Sequence, residues 1–269
     1  MKKLVNTLMI FLTVAAVISL QSCQKDELGS VPDQEPNSLD LKSSTMNTFY
    51  SPAQPMGNGV ARGWVMVNKM GEPLEVGINL SGKALMNLPD EPQMFVFELP
   101  KNKGQKFYTH LLVDWNPQGH EPEGVYTLPH FDFHFYIIPS SVRMDIPPSN
   151  DMDLTPAPEF QPPLYMQLPG LVPEMGAHWV DLLAPEFNGG IFSSTFIWGS
   201  YHGEFVFWEP MITVDYLNSH PDQTFDIRQP QAFQKSGWYP MNYQVTYSTK
   251  PDEFKIALTN LVYHDGTDD

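Results

Sequence analysis

The stretch PHFDFHFYIIP, residues 129–139, places two histidines and an aspartate at every second position of an otherwise apolar run. Side chains two residues apart on a strand share a face, so His130, Asp132 and His134 form one polar row. Neighbouring members lie about 6.6 Å apart at ~3.3 Å per residue, close enough to share an ion about 2 Å from each. His130 and His134 lie about 13 Å apart, so both bind one ion only if the strand bends. The spacing therefore predicts a chelating pair made of Asp132 and one of the two histidines, either His130 or His134.

Further ligands for such a site must come from other segments. The main candidates are His178 in GAHWVD and Glu209 in FWEPM, since a carboxylate in an aromatic strand is costly unless it is paired. Additional candidates are His110, His120 and Glu121 in YTHLLVDWNPQGHEPEG. Histidines with a carboxylate suit a divalent zinc, iron, manganese or copper ion without deciding among them.

The same polar row has other interpretations. It could be a buried hydrogen-bond network with Tyr136 that only stabilises the fold. Carboxylates such as Asp132 and Glu209 could act on a sugar as acid and base, but the sequence does not fix their separation. The sequence contains no G-x-S-x-G elbow, and Cys23 is the only cysteine, so no motif supports a nucleophilic hydrolase. The catalytic residues, and whether the protein is an enzyme, stay open.

The elements that position these residues are predicted to be mostly strands. Short aromatic and β-branched runs, together with 26 prolines in 269 residues, favour strands over long helices. The pattern predicts a mainly β domain, an antiparallel barrel-like or sandwich fold with one or two short helices. Residues 139–173 hold nine prolines and are predicted to be a Pro-rich loop that covers the site. Strands near the site are predicted at residues 94–99, 107–114, 125–127 and 130–138.

The N-terminus has the pattern of an export signal. Two lysines precede an apolar run that ends before Cys23, which predicts a signal peptide over residues 1–22. The segment LQSC resembles a lipobox, so we expect lipidation of Cys23, and the QKDE that follows resembles the export signal of bacterial surface lipoproteins. We therefore expect an outer-membrane lipoprotein of the cell envelope that contacts the membrane only through its lipid. The domain could face either the periplasm or the cell surface.

Composition divides the remaining chain and excludes one class of partner. Residues 23–56 are polar without an apolar period, which predicts a flexible tether, and residues 57–265 are predicted to be a single β-rich domain. The formal charge of −16 becomes −18 without residues 1–22, because that segment contains two lysines and no acid. A field of this sign repels phosphate backbones and argues against nucleic-acid binding.

Several motifs together resemble a known family. They are WNPQGHEPEGVYTLPHFDFHFY, GAHWVDLLAPEFNG, TFIWGSYHGEFVFWEPMIT, GWYPMNYQVTY and GNGVARGWVMVNKMGEPLEVGINLSGKALMNLP, and they span roughly residues 57–263. The set is similar to a secreted domain-of-unknown-function family of bacteria and archaea, typified by an envelope-stress (sigma-E) regulated protein of a thermophile. The resemblance implies a β-rich single domain and no particular activity. The matched motifs include His120, His130, Asp132, His134, His178 and Glu209.

Two functions are consistent with these observations. The first is a lipid-anchored envelope domain with a His/Asp/Glu site for a divalent metal or a small molecule, with metal-assisted hydrolysis, lyase or isomerase chemistry if it is a catalyst. The alternative is a non-catalytic surface module for glycan binding or homo-oligomeric self-association, in which the His/Asp row is structural. Its glycan face would use the tryptophans at positions 115, 179, 198, 208 and 238.

Overall fold

Fourteen strands and two short helices are found in the part of the chain that the computed structural model describes, residues 46–101 and 105–267. The strands are β1 (Asn47–Tyr50), β2 (Gln54–Met56), β3 (Gly59–Val67), β4 (Pro73–Ser81), β5 (Gln93–Glu98), β6 (His110–Asn116), β7 (His130–Tyr136), β8 (Tyr165–Gln167), β9 (Ala177–Asp181), β10 (Ser194–Tyr201), β11 (Glu204–Thr213), β12 (Asp222–Asp226), β13 (Gly237–Thr249) and β14 (Asp252–His264). The α-helices are α1 (Ser140–Met144) and α2 (Val214–Asn218), and 3-10 turns span Gly82–Leu85, Pro158–Phe160 and Pro185–Phe187.

These strands form two antiparallel seven-stranded sheets. Sheet 1 has the order β1-β3-β4-β14-β13-β12, with β2 paired to β3, and sheet 2 has the order β5-β6-β7-β11-β10-β9-β8. Buried residues of both sheets belong to one hydrophobic cluster. The sheets approach closely at Gly63 of β3, where an added Cβ would lie 3.0 Å from Phe97 and 3.1 Å from Leu111 of sheet 2. The fold is therefore sandwich-like, with its main core between the sheets.

The outer face of sheet 2 is also buried, but under loops. Ile138 and Ile146, from the segment after β7, pack with Tyr136 and Phe207 of the sheet. On the other side of the same face, loop residues such as Tyr126 pack with strand residues of β10 and β11. Sheet 2 thus has core on both faces, one against sheet 1 and one beneath the loops.

The observed fold confirms most of the predicted architecture. A mainly β antiparallel sandwich with two short helices was one of the two predicted forms, whereas the barrel-like form is wrong, because neither sheet closes on itself in the described strands. Strands are present at or near residues 94–99, 107–114 and 130–138, but residues 125–127 are a turn region rather than a strand. Within residues 139–173 the chain forms α1, a 3-10 turn and β8, so this Pro-rich segment is not structureless.

The predicted tether extends too far toward the C-terminus. Residues 47–56 contain β1 and β2, and both strands pair with β3. The Ser51 hydroxyl accepts a hydrogen bond from the Gly63 N–H at 3.0 Å, and Met56 is buried in the core. Short edge strands of this kind are held by pairing with a neighbour, so they leave little pattern of their own in the sequence.

The N-terminal predictions fall on residues outside this description. The signal peptide over residues 1–22, the lipidation of Cys23 and the tether up to residue 45 lie in that part of the chain. None of the helices in the described residues has the length and hydrophobicity needed to cross a bilayer.

Candidate functional site

The polar row of β7 lies on the outer face of sheet 2, beneath the loops. All seven residues of β7 are buried, and its three phenylalanines point into the core between the sheets. His130 lies beside Asp132, whereas His134 belongs to a different group of potential ligands. The strand spacing separates His130 from His134 in the same way, but it leaves open which of the two pairs with Asp132.

The first triad consists of His134, His178 and Glu209. These residues come from β7, β9 and β11, and one ligand atom of each lies within 4.8 Å of the others. The Nε2 atoms of His134 and His178 each lie 3.5 Å from a different oxygen of Glu209. His134 and Glu209 are almost fully buried, and the His178 side chain is 17% exposed.

The second triad consists of His120, His130 and Asp132. His130 and Asp132 share β7, while His120 reaches them from the loop after β6. The Nε2 atom of His130 lies 3.1 Å from one oxygen of Asp132, and that of His120 lies 3.3 Å from the other. Both triads therefore combine two imidazoles with one carboxylate.

A cavity of about 760 Å³ lies over this face of the sheet. Each triad contributes two lining residues, His178 and Glu209 from the first and His120 and Asp132 from the second. Four residues of the Pro-rich segment, Leu168, Pro169, Gly170 and Val172, also line the cavity. The site is thus a loop-covered cavity with two polar groups on its floor.

Two polar residues near the triads were not among the predicted ligands. Asp114 of β6 stands directly opposite Asp132, and its carboxylate lies 3.6 Å from Nδ1 of His134. The Asn116 amide donates a hydrogen bond of 2.6 Å to Asp132. The signal for both was present, because Asp114 and Asn116 are polar residues on the same face of β6 as His110, separated by the apolar Trp115.

Burial dominates the electrostatics of the site. It lowers the pKa of His134 to about 3 and that of His178 to about 4, so both rings are neutral at pH 7. Burial, helped by the charge of Asp132, raises the pKa of Asp114 to about 8 and holds the pKa of Glu209 well above its ordinary value. The contact between His134 and Glu209 is therefore not an ion pair.

Asp132 is the exception among the three carboxyl groups. Burial alone would raise its pKa, but His130 and His120 outweigh burial and hold the pKa below its ordinary range. Burial likewise opposes the charged form of His120, but the hydrogen bond to Asp132 and its charge raise the pKa of His120. Negative charge on this face is thus concentrated at Asp132.

Unpaired polar atoms are concentrated at the site. Buried side-chain atoms there have no hydrogen-bond partner of good geometry among the described residues. They are Nδ1 and Nε2 of His134, Oε2 of Glu209, Oδ2 of Asp114, Nε2 of His130 and Oδ1 of Asp132. Leaving one such atom unpaired costs roughly 1–3 kcal/mol, so a group of six requires a compensating partner.

Gly199 of β10 gives the first triad the room it needs. It lies opposite both His178 and Phe207 in the sheet, and a Cβ here would fall 2.0 Å from the Phe207 ring. That ring packs 5.1 Å from the His134 ring and 5.3 Å from the His178 ring, centroid to centroid. Displacing Phe207 would therefore disturb both histidines.

A Gly199→Ala variant is expected to lose about 1–3 kcal/mol of stability through overpacking against Phe207. Equilibrium urea unfolding measures the loss. Adding Phe207→Leu should recover part of it, because the smaller side chain relieves the contact and the two changes are then not additive. A single variant as stable as the wild type would show that this contact is not tight.

The remaining predicted ligands lie outside both triads. His110 is fully buried on β6, stacked on Tyr136 at 4.6 Å between ring centroids, and its Nδ1 lies 2.9 Å from the Thr109 hydroxyl. Glu121 is exposed, and its backbone carbonyl accepts a hydrogen bond from Nδ1 of His120 at 2.6 Å. Neither side chain joins a group of potential ligands.

His110 is expected to make stability depend on pH. Burial lowers its pKa to about 4 from the ordinary 6.5, so the unfolded chain takes up the proton first as the pH falls. Its contribution is complete above pH 6.5 and is lost as the pH falls toward 4, by roughly 3 kcal/mol in total. The free energy of unfolding is measured with urea at pH 7 and pH 4 for chelator-treated wild type and a His110→Phe variant. Between the two pH values the wild type should lose about 3 kcal/mol more than the variant. Parallel pH profiles of the two proteins would contradict the assignment.

The tryptophans predicted as a glycan face occupy other positions. Those at 115, 179, 198 and 208 are buried in the core between the sheets. Trp238 is half-buried and packs edge-on against Tyr263 at 5.4 Å between ring centroids. Four of the five therefore serve packing.

Comparison with known protein families gives a match over part of the chain. Residues 68–115, which contain β4, β5 and most of β6, match the family described as TTHB210-like, hypothetical protein TTHB210. No curated protein and no solved structure matches the chain. The matched region includes His110 and Asp114 but no member of either triad, so it supports similarity to a family of hypothetical proteins and carries no residue roles.

Proposed function

We propose that this domain binds a divalent metal ion through His134, His178 and Glu209 and holds a small molecule in the adjoining cavity. The observation that carries the proposal is the group of unpaired buried atoms on the outer face of sheet 2. A cation bound by the first triad supplies a partner for Nε2 of His134 and for the Glu209 carboxylate. It also favours the charged form of Glu209, which burial alone opposes.

The separations of the ligand atoms fit a metal ion. Two ligand atoms about 2.1 Å from one ion, at angles of 90–109°, lie roughly 3.0–3.4 Å apart. The two histidine nitrogens of the first triad each lie 3.5 Å from a Glu209 oxygen, close to that separation. Two imidazoles and a carboxylate are a ligand set of zinc and ferrous iron, and they leave coordination positions for water or substrate.

Asp114 supports the first triad from behind. Its carboxylate faces Nδ1 of His134 at 3.6 Å, on the opposite side of the ring from Glu209. A carboxylate in this position orients a ligating imidazole and fixes which nitrogen carries the proton. With His178 and Glu209 lining the cavity, a bound ion would be open to a ligand there and could polarise it or activate water, as hydrolysis, lyase or isomerase chemistry requires.

The lining of the cavity indicates the charge of its ligand. Among the described lining residues are four acids, Asp114, Glu121, Asp132 and Glu209, and no lysine or arginine. Apolar residues such as Trp115, Ile197 and Met211 make up much of the rest. In the metal-free protein, a neutral or cationic molecule with an apolar body suits this lining, because Asp132 is charged and no lysine or arginine among the described lining residues balances it. A bound divalent ion would add positive charge of its own.

Elemental analysis tests the metal part of the proposal. Protein purified without chelators should carry a transition metal, and His178→Gln should lower the content by one equivalent per chain. His202→Gln is the matched control, because His202 is 66% exposed in a hairpin turn. A metal-free wild type whose thermal unfolding ignores both EDTA and added metal would refute the proposal.

Calorimetric titration tests the ligand part. In chelator-treated protein, octylamine and octanol should bind at least tenfold more tightly than octanesulfonate, which has a similar tail and a permanent negative charge. Met211→Trp, which fills the cavity, should abolish binding of both. Equal affinities for the three compounds would refute the charge argument.

We place the domain at the cell envelope, in the outer membrane, anchored through a lipid on Cys23. The support is the N-terminal pattern of two lysines, an apolar run and a single cysteine. Membrane fractionation of a wild-type and a Cys23→Ala protein tests it. The wild type should pellet with membranes and the variant should be released, and an unchanged distribution would exclude the anchor.

A further inference from the structure

The second triad has a hydrogen-bonding pattern that distinguishes it from an ordinary ion-pair network. His130 is fully buried, and its Nδ1 lies 2.7 Å from the carbonyl oxygen of Leu128. A carbonyl oxygen only accepts hydrogen bonds, so Nδ1 carries the proton. In the neutral ring Nε2 then holds a lone pair, and this lone pair faces Asp132 at 3.1 Å.

His120 repeats the pattern from the opposite side. Its Nδ1 lies 2.6 Å from the carbonyl oxygen of Glu121, and its Nε2 lies 3.3 Å from the other oxygen of Asp132. Two imidazoles from different elements thus each donate Nδ1–H to a backbone carbonyl, and both direct Nε2 at one carboxylate. Asn116 orients that carboxylate through its 2.6 Å hydrogen bond.

Direct ion pairing accounts for only one side of this arrangement. His120 can hold a proton on Nε2 for its 3.3 Å hydrogen bond to Asp132, but the same explanation for His130 would place two imidazolium ions on one buried carboxylate. Nε2 of His130 and Oδ1 of Asp132 are close but do not meet hydrogen-bond geometry, and both are buried and unpaired among the described residues. A cation shared by the three side chains would replace the His120 proton and would also give these two atoms a partner.

We propose that His120, His130 and Asp132 form a second divalent-metal site on the floor of the same cavity. Metal-ligating histidines commonly donate the other ring N–H to a backbone carbonyl, which fixes the ring and its tautomer. Both histidines here do so before any ion is considered. The ligand type, two nitrogens and a carboxylate, favours zinc or another transition ion over calcium or magnesium.

This second site stands on different residues from the first triad. His120 and Asp132 line the cavity, as His178 and Glu209 do, so a bound small molecule can contact both centres. Two ions bound in this way would lie against the same cavity. Neither site shares a ligand with the other.

Metal stoichiometry of the purified protein at pH 7.5 tests the second site. Titration with Co²⁺, followed by its visible absorption and by elemental analysis, should give two equivalents for wild type. His120→Gln and His178→Gln should each retain one equivalent, and the double variant none. A His120→Gln variant that still binds two equivalents, or a wild type that binds one and keeps it in this variant, would overturn the second site. The metal content of His178→Gln tests the first triad only, so either proposal can be refuted while the other holds.

Nitrogen NMR of the wild-type imidazoles provides a readout that does not depend on a variant. In chelator-treated protein at pH 7.5, Nδ1 of His130 should carry a proton, and Zn²⁺ should shift the Nε2 resonances of His130 and His120. Nε2 resonances that do not respond to Zn²⁺ would overturn the proposal.

Discussion

Zinc is expected to raise the free energy of unfolding of the wild-type protein by about 4 kcal/mol more than that of a Glu209→Gln variant, at free zinc about a thousand times the Kd of the first triad. An ion that binds only the folded state stabilises it by mass action, and a carboxamide does not replace the carboxylate as a ligand. Glu209 is 2% exposed, and burial raises its pKa, which favours the neutral acid before metal binds. Gln is a near-isosteric neutral replacement. The two chelator-treated proteins should therefore agree within about 1 kcal/mol.

Urea unfolding with EDTA and with buffered zinc separates these quantities. Glu204→Gln is the matched control, because Glu204 lies on the same strand but is largely exposed and pairs with Lys235. The control should retain the full zinc-induced gain. Any stabilisation from the second triad is common to all three proteins and cancels in the comparison. If Glu209→Gln keeps the whole gain, zinc does not bind through this carboxylate.

Phe133→Ala is expected to lower the free energy of unfolding by about 3–5 kcal/mol, measured in chelator-treated protein by urea unfolding. Phe133 lies between Asp132 and His134 on β7 but points to the other face, where it is 1% exposed in the core between the sheets. Its removal leaves a cavity against Val113 of β6 and the neighbouring Phe131. The folded fraction should keep its metal stoichiometry, because no ligand is changed.

Phe187→Ala is the matched control for the chemical change itself. Phe187 lies in a 3-10 turn and is 36% exposed, so its truncation should cost much less. Equal losses in the two variants would show that β7 is not anchored through its phenylalanines. Loss of metal binding in folded Phe133→Ala would show that the two faces of β7 are not independent.

The division of β7 into two faces can be predicted because it is a local property. A period of two requires only that the segment be a strand, and it assigns Phe131, Phe133 and Phe135 to one face without knowledge of the neighbours. The same geometry separates His130 from His134 but does not decide which of them joins Asp132. The structure has the phenylalanines on one face and the two histidines in different groups.

The grouping of the ligands depends on long-range pairing, which local patterns do not encode. His134 meets Glu209 because β11 pairs with β7, although 67 residues, 137–203, separate the two strands in the chain. His178 reaches the same point across β10 because Gly199 has no side chain. His120 comes from a loop, where side-chain direction has no period at all. The sequence therefore predicts candidate ligands better than it predicts which of them meet.

Register between strands also explains the difference between the two residues of β6. The sequence pattern indicates His110 as a candidate ligand and passes over Asp114. In the structure His110 stacks on Tyr136, whereas Asp114, four residues further along the same strand face, lies beside His134. The neighbour that each residue has on β7 depends on the register of the two strands rather than on residue type.

The most direct test of the metal site is a crystal structure with anomalous scattering from protein soaked in zinc. The first triad predicts a peak within about 2.0–2.2 Å of the histidine nitrogens and the Glu209 oxygen, and the second triad predicts another at His120, His130 and Asp132. Well-ordered side chains in these positions without an anomalous peak at the first triad would contradict the account.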